Sequence, residues 1–228
     1  MLSYSRCCDF YKCPYLFQCH DEVEVTSNAI MVGQQIDTLL NCLLIKNIKD
    51  KTVREQAALR VGISGMLQKI IDNNDVCEFL KCPPMVKYWY VDFISSGLEV
   101  VDVQKYFELD DLEYRGYIDA VLTDGTTKYV VENKTTSRYY DRFFTSKKNS
   151  MQTVGYCIAE NTDMVRYCFF NTKNMTEYTP ISRRVTHEDI EEFKEWVNFV
   201  RDNQTCFVKN REYCSYHDCP KKEECYYG

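Results

Sequence analysis

Residues 114–137, YRGYIDAVLTDGTTKYVVENKTTS, constrain the fold more than any other stretch, because they read as two strands closing on an Asp124-Gly125 turn. With those two residues as the loop, Thr123 opposes Thr126 and Asp119 faces Val130. Alternation then places Ile118, Ala120, Leu122, Tyr129 and Val131 on one side, a core face. Asp119, Glu132 and Lys134 fall on the other, with Asp119 diagonal to Glu132 at roughly 7–8 Å between backbones. A divalent cation fits between carboxylates so spaced, since oxygen ligands bind it at about 2.0–2.6 Å. The plain alternative is a solvated strand face with an incidental Glu–Lys pair.

The flanking sequence supplies helices before this hairpin and an alternation of elements after it. A short helix following Ser3 or Ser5 runs into Cys13-Pro14. Residues 27–48 carry a helical stripe of Ile36, Leu39, Leu40, Leu43 and Leu44. Residues 52–73 read as a further helix despite Gly62 and Gly65, and 85–108, rich in aromatic and β-branched side chains, as strands. Helix is expected over 149–162, strand over 163–172, and helix over 186–203 behind the capping sequence Thr186-His-Glu-Asp189. The expected fold is therefore α/β: a mixed central sheet flanked by helices (85–203), a helical N-terminal part (1–84) and a cysteine-rich tail (204–228).

No apolar run approaches the length of a membrane span, and the N-terminus lacks the order of a signal peptide, so a cytoplasmic protein is expected. A net charge of −6 means that any nucleic-acid binding needs a local basic surface. Thirteen cysteines in a chain without secretory features point to metal ligation where they cluster. Cys42, Cys77, Cys157 and Cys168, set in apolar surroundings, read as small core residues.

The hairpin resembles the Asp…Glu-x-Lys motif of PD-(D/E)XK nucleases, and more closely their RecB-like branch, which includes the CRISPR-associated exonucleases. GYID ends at Asp119 and ENK begins at Glu132, thirteen residues on. SYSRCCDFYKCPYLF (3–17) is similar to the family's opening. VGQQIDTLL (32–40) is similar to the segment in which a Gly is followed four residues later by a metal-binding His, and this chain has Asp37 there. QTVGY supplies Gln152 and Tyr156, the spacing of the Gln-x-x-x-Tyr element, whose side chains share a helix face and could both meet a substrate strand. The resemblance implies a restriction-endonuclease-like core and metal-assisted hydrolysis of DNA. In it Asp119, Glu132 and the backbone carbonyl of Asn133 hold Mg²⁺ or Mn²⁺, with Asp37 a further ligand or a helix-surface residue. Lys134 orients water or stabilises charge on the phosphate. The resemblance also brings in Glu108, as an acidic residue preceding the motif.

CSYHDCPKKEEC (214–225) is similar to the C-terminal triple cysteine of members with an iron–sulfur cluster, so that Cys13, Cys214, Cys219 and Cys225 would hold [4Fe–4S]. Zinc remains open as the alternative, with His20, His217, Cys7, Cys8 or Cys19 drawn in. SRYYDRFFTSKK (137–148) interleaves Arg138, Arg142, Lys147 and Lys148 with Tyr139, Tyr140, Phe143 and Phe144. This suits phosphates and stacked bases of a single strand, or else a buried loop. The leading expectation is an exonuclease acting on single-stranded DNA or DNA ends, in CRISPR adaptation or in phage recombination and repair, as a homo-oligomer or beside integration or recombination proteins. A non-catalytic nucleic-acid-binding scaffold and a zinc-stapled interaction module are the competing classes.

Overall fold

Five strands form one sheet in the order β1-β2-β3-β4-β5. They are β1 (Glu99–Leu109), β2 (Tyr114–Thr123), β3 (Lys128–Thr136), β4 (Met164–Asn171) and β5 (Tyr178–Arg184). All neighbours are antiparallel except β3 and β4, which run parallel. The described helices, numbered in chain order, are α1 (Tyr4–Lys12), α2 (Pro14–Gln18), α3 (Asn28–Ile45), α4 (Lys51–Val61), α5 (Pro84–Ser96), α6 (Asp141–Lys148), α7 (Gln152–Glu160) and α8 (His187–Asn203). The computed structural model describes residues 1–19, 28–62, 82–137, 141–148, 150–206, 208–210 and 212. The expected α/β class, a mixed sheet flanked by helices, is what the structure shows.

Each sheet face carries its own core. On one face Val121, Val130, Val165, Tyr167 and Phe169 pack with Phe10 and Phe17 of the N-terminal helices, with Val154 and Tyr156 of α7, and with Phe193 and Val197 of α8. On the other, Val103, Ala120, Val131, Cys168 and Phe170 meet Leu40 and Leu44 of α3, Ala57 of α4 and Met85, Val86, Trp89 and Phe93 of α5. The parallel β3–β4 pair needs a crossover, which α6 and α7 provide. That crossover brings the start of α7 to the C-terminal half of β3, opposite α3.

Several sequence expectations change. Residues 84–96 form α5 rather than a strand. Their β-branched and aromatic content suggests a strand, yet the buried set Met85, Val86, Trp89 and Phe93 follows helical spacing behind a proline in the first turn. The helix expected over 52–73 stops at Val61, where Gly62 adopts φ +65° as a left-handed cap; the remainder of that stretch lies outside the described residues. β5 is an additional edge strand, and Pro180 within it is tolerated because an edge leaves one side of the ladder open. Residues 141–148 are helical. The capping box at Thr186 and Asp189 is present.

The hairpin closes two residues later in register than the turn signal implies. Thr123 pairs with Lys128 and Ala120 with Val131. The cause is local: Asp124 Oδ1 accepts from the backbone N–H groups of Thr126 and Thr127, and the Asp124 N–H donates to the Thr127 carbonyl. Gly125, at φ +93°, thus becomes the first of two central residues, a position that demands positive φ in a type II′ turn. A shift of two preserves which residues share a face. It also moves Asp119 from diagonal to directly opposite Glu132.

Candidate active site

Asp119 sits where β2 changes face. Ile118 packs into one core and Ala120 into the other, so strict alternation fails at the residue between them. Opposite it in β1 stands Gln104, a non-glycine residue at φ +49°, flanked by the pairs Val103–Ala120 and Lys105–Ile118. Irregularities of this kind bend a strand and re-aim a side chain. Asp119 is thereby turned toward a cavity of about 250 Å³ lined by Asp37, Asp119, Glu132, Asn133, Lys134 and Gln152, and floored on the α3 side by Gly33, Ile36 and Leu40.

Three elements meet there. α3 contributes Asp37, whose Oδ2 accepts from Asn41 Nδ2 at 3.1 Å, one turn along the helix, and from Gln104 Nε2 at 3.4 Å. Asp119 Oδ2 accepts from the backbone N–H of Asn133 at 2.7 Å, tying β2 to β3 at the site. Glu132, 2% exposed, gives Oε1 to an ion pair with Lys134, while its Oε2 is buried with no partner. α7 contributes Gln152, whose Oε1 accepts from Lys134 Nζ at 2.9 Å and whose Nε2 donates to the Tyr156 hydroxyl at 2.7 Å. Gly33 lets α3 approach β3: a Cβ there would lie 2.9 Å from Thr135 Oγ1.

Crowded acids set the electrostatics. Burial, then the neighbouring Glu132 and Asp37 carboxylates, push the Asp119 carboxyl well above its usual range. Burial also raises Asp37, partly opposed by Asn133 and Asn41. The Asn133 carboxamide lies near enough to favour the Asp37 charge, although neither of its polar atoms makes a hydrogen bond of acceptable geometry. Burial works to lower the Lys134 ammonium, but Glu132 and Asp119 outweigh it and hold it above its ordinary value. Lys134 is therefore a protonated donor, and among the described residues it is the only cation lining the cavity.

The donor set fits a hard divalent cation. Three carboxylates around one small space, one of them with a buried unpartnered oxygen, form an excess of negative charge that Mg²⁺ or Mn²⁺ would neutralise. Among the described residues, no three His, Cys, Asp or Glu side chains are already gathered as a cage. Glu132 and Asp119 instead spend an oxygen each on Lys134 and on the Asn133 N–H.

The other sequence candidates divide. Gln152 lines the cavity, but Tyr156 is 3% exposed and packs edge-on against Phe107, so of that pair only Gln152 is placed to meet a substrate. Glu108 is exposed on β1 and bonded to the Tyr106 hydroxyl, outside the cavity lining. Arg138, Tyr139 and Tyr140 lie outside the described residues, as do Cys214, Cys219, Cys225, His20, His217 and Cys77, and the side chain of Arg142 is not described. Phe144 is buried against Phe169, which favours core packing for that ring. Cys42, Cys157 and Cys168 are core residues, their thiols raised by burial to about 11, 12 and 11. Cys7 is likewise buried and raised to about 12. Cys13 differs: at the α1–α2 junction its Sγ accepts from the Asn210 N–H at 3.3 Å, and Tyr15 N–H donates to the Val208 carbonyl. The stretch leading into the cysteine-rich tail thus lies against Cys13. Gln104 and Asn41 belong to the site without any signal in the sequence, whereas Gly33 is the Gly that precedes Asp37 by four residues in VGQQIDTLL.

No protein-family model and no curated protein matches the sequence. Solved structures with a similar fold include a phage-related exonuclease from Haemophilus somnus, at 13% identity over 72% of this chain and 92% of that one, with a TM-score of 0.40. They also include the alkaline exonuclease LHK-Exo from Laribacter hongkongensis, at 10% identity over 73% and 86%, with a TM-score of 0.37. Likeness at that level fixes neither family nor activity, and the reading of the site stands on its own residues.

No helix among the described residues is long and apolar enough to cross a membrane.

Proposed function

We propose that this chain is a metal-dependent DNA exonuclease of the PD-(D/E)XK type, acting on single strands or DNA ends in CRISPR adaptation or in phage recombination and repair. The observation that carries the reading is the convergence of Asp37, Asp119 and Glu132 with one protonated lysine in a single cavity at the end of a sheet. Asp37, Asp119, Glu132 and the Asn133 carbonyl would hold Mg²⁺ or Mn²⁺, which when bound polarises a phosphate and lowers the pKa of water. Lys134 donates hydrogen bonds to phosphate oxygens as their charge grows, held on line by Glu132 on one side and Gln152 on the other. Gln152 is itself fixed by the buried Tyr156 hydroxyl. Asn41 and Gln104 fix the Asp37 carboxylate and so pre-organise the α3 side of the site.

The second part of the proposal is a [4Fe–4S] cluster held by Cys13, Cys214, Cys219 and Cys225, which would join the two chain ends. Contact of residues 208–210 with the Cys13 turn supports it. The test is cleavage of oligonucleotides labelled at the 5′ or the 3′ end, with Mg²⁺, with Mn²⁺ and with EDTA. Metal-dependent products that disappear in Lys134→Ala are expected. DNA binding without cleavage under any metal would replace the enzyme by a non-catalytic scaffold.

A further inference from the structure

We propose that Tyr106 and Tyr117 form a base-stacking platform for a single nucleic-acid strand whose phosphate enters the cavity; the inference rests on the nuclease reading of that cavity and adds how its substrate is gripped. The two tyrosines are direct cross-strand partners on β1 and β2, with ring centroids 5.2 Å apart. They are 38% and 55% exposed. Their sequence neighbours Phe107 and Ile118 turn into one core, so alternation sends both rings to the opposite face, where they remain exposed. Two large rings left in water on an antiparallel strand pair cost solvation that an ordinary surface would avoid with polar side chains.

Position gives the platform its occupant. Along β2, Arg115 and Tyr117 share that face as an exposed cation and an exposed ring, and Asp119, where the strand changes face, follows as the carboxylate that enters the cavity. Tyr117 stands two residues from Asp119, about 7 Å along the strand, within one nucleotide's reach. A phosphate at the cavity therefore carries its neighbouring base over Tyr117, and the next phosphate toward Arg115. The Tyr106 hydroxyl donates to Glu108, which lies opposite Arg115. That bond holds the Tyr106 ring in place. Rings stack on any base, so the grip is tolerant of sequence, and it needs bases that are unpaired. A duplex keeps its bases stacked on one another and offers the platform only its ends.

The test measures fluorescence anisotropy of a labelled oligothymidylate in EDTA, where no turnover occurs, for wild type, Tyr106→Ala, Tyr117→Ala and the two Tyr→Phe variants. Each alanine should weaken binding about tenfold, following the usual worth of one stacked base, and each phenylalanine should retain most of it. A blunt duplex of equal length should bind more weakly and respond little to either alanine. Unchanged affinity in both alanine variants, or equal losses in alanine and phenylalanine, would overturn the platform. Cleavage of the same oligonucleotide by wild type with Mn²⁺ is scored separately. Tyrosine-dependent binding without cleavage would refute the nuclease reading alone, and cleavage with tyrosine-independent binding would refute the platform alone.

Discussion

Replacing Lys134 by Ala tests both the electrostatics and the chemistry of the cavity. Lys134 is the only cation among the described residues lining it, set against Asp37, Asp119 and Glu132, so its loss takes the formal charge of that described lining from −2 to −3. Alternation puts Lys134 on the hairpin face away from the expected core, so sequence alone predicts that its removal leaves folding nearly intact. The structure changes that expectation, because its partner Glu132 is only 2% exposed and has one oxygen already unpartnered. Stranding one member of a buried pair costs about 3 kcal/mol, with protonation of the crowded carboxylates limiting the loss. At 2–4 °C per kcal/mol for a chain of this size, the melting temperature should fall by about 6–12 °C in metal-free buffer. Mn²⁺ at about a hundred times its dissociation constant would stabilise either protein by about 2.7 kcal/mol, so at one fixed Mn²⁺ concentration the gap should narrow to the extent that the variant's more negative lining binds the ion more tightly. Cleavage of DNA, assayed well below either melting temperature, should stay abolished. Thermal unfolding by circular dichroism with and without Mn²⁺, beside an end-labelled cleavage assay, separates the two effects. An unchanged melting temperature would refute the buried-pair argument, and full Mn²⁺-dependent cleavage would refute the assignment of the site.

Three further outcomes follow from other contacts. Asp37→Ala should raise the Mn²⁺ concentration needed for half-maximal activity, and Asp37→His should restore much of the loss; Gln104→Ala should move the same titration less, because Asn41 still holds the carboxylate. Protein purified without oxygen should be brown, with iron and sulfide near four per chain for a [4Fe–4S] cluster. Cys13→Ser should bleach it and expose the chain ends to protease, whereas one zinc and no iron would remove the cluster and leave the nuclease proposal standing. At the start of α8, bonds from Thr186 and Arg183 outweigh burial and hold the Asp189 carboxyl below its usual value. A group depressed by folding contributes stability that is present above the unfolded value near 3.8 and lost as pH falls through the folded one. Asp189→Ala should therefore cost about 1 kcal/mol at neutral pH, with a cost that shrinks below about pH 4 in acid unfolding curves.

What the sequence made legible is parity, and what it hid is contact. Glu132 and Lys134 keep a common face because a register error of two residues preserves parity, and alternation counted from Ala120 adds Asp119. Ile118, expected on the face of Ala120 and Leu122, packs in the other core because the strand changes face between them. The error itself was not visible, since the Asp124 side chain, rather than the Asp-Gly pair as loop centre, organises the turn. In α5 the composition favours a strand while the spacing of Met85, Trp89 and Phe93 favours a helix, and spacing prevails. β5 escaped notice because Pro180 demotes a strand everywhere except at an edge, and whether a segment is an edge is a property of the whole sheet.

The same distinction explains the composition of the site. Its charged groups announce themselves as acids and an amine where apolar residues belong, so they can be read from the hairpin and from α3. The groups that aim them cannot. Gln104 acts through a positive φ that interrupts β1 opposite Asp119, and nothing in its neighbours Val103 and Lys105 signals that conformation. Gly33 acts through the space it leaves for Thr135, which exists only once α3 lies across β3. Asn133 donates its backbone N–H to Asp119, a role any residue but proline could fill. On the face that α3 packs against, the irregularity at Gln104 and Asp119 separates the buried pair Val103 and Ala120 from the exposed pair Tyr106 and Tyr117. One irregularity therefore both turns a carboxylate into the cavity and leaves two rings uncovered beside it, which ties the chemistry proposed for the cavity to the surface proposed to feed it.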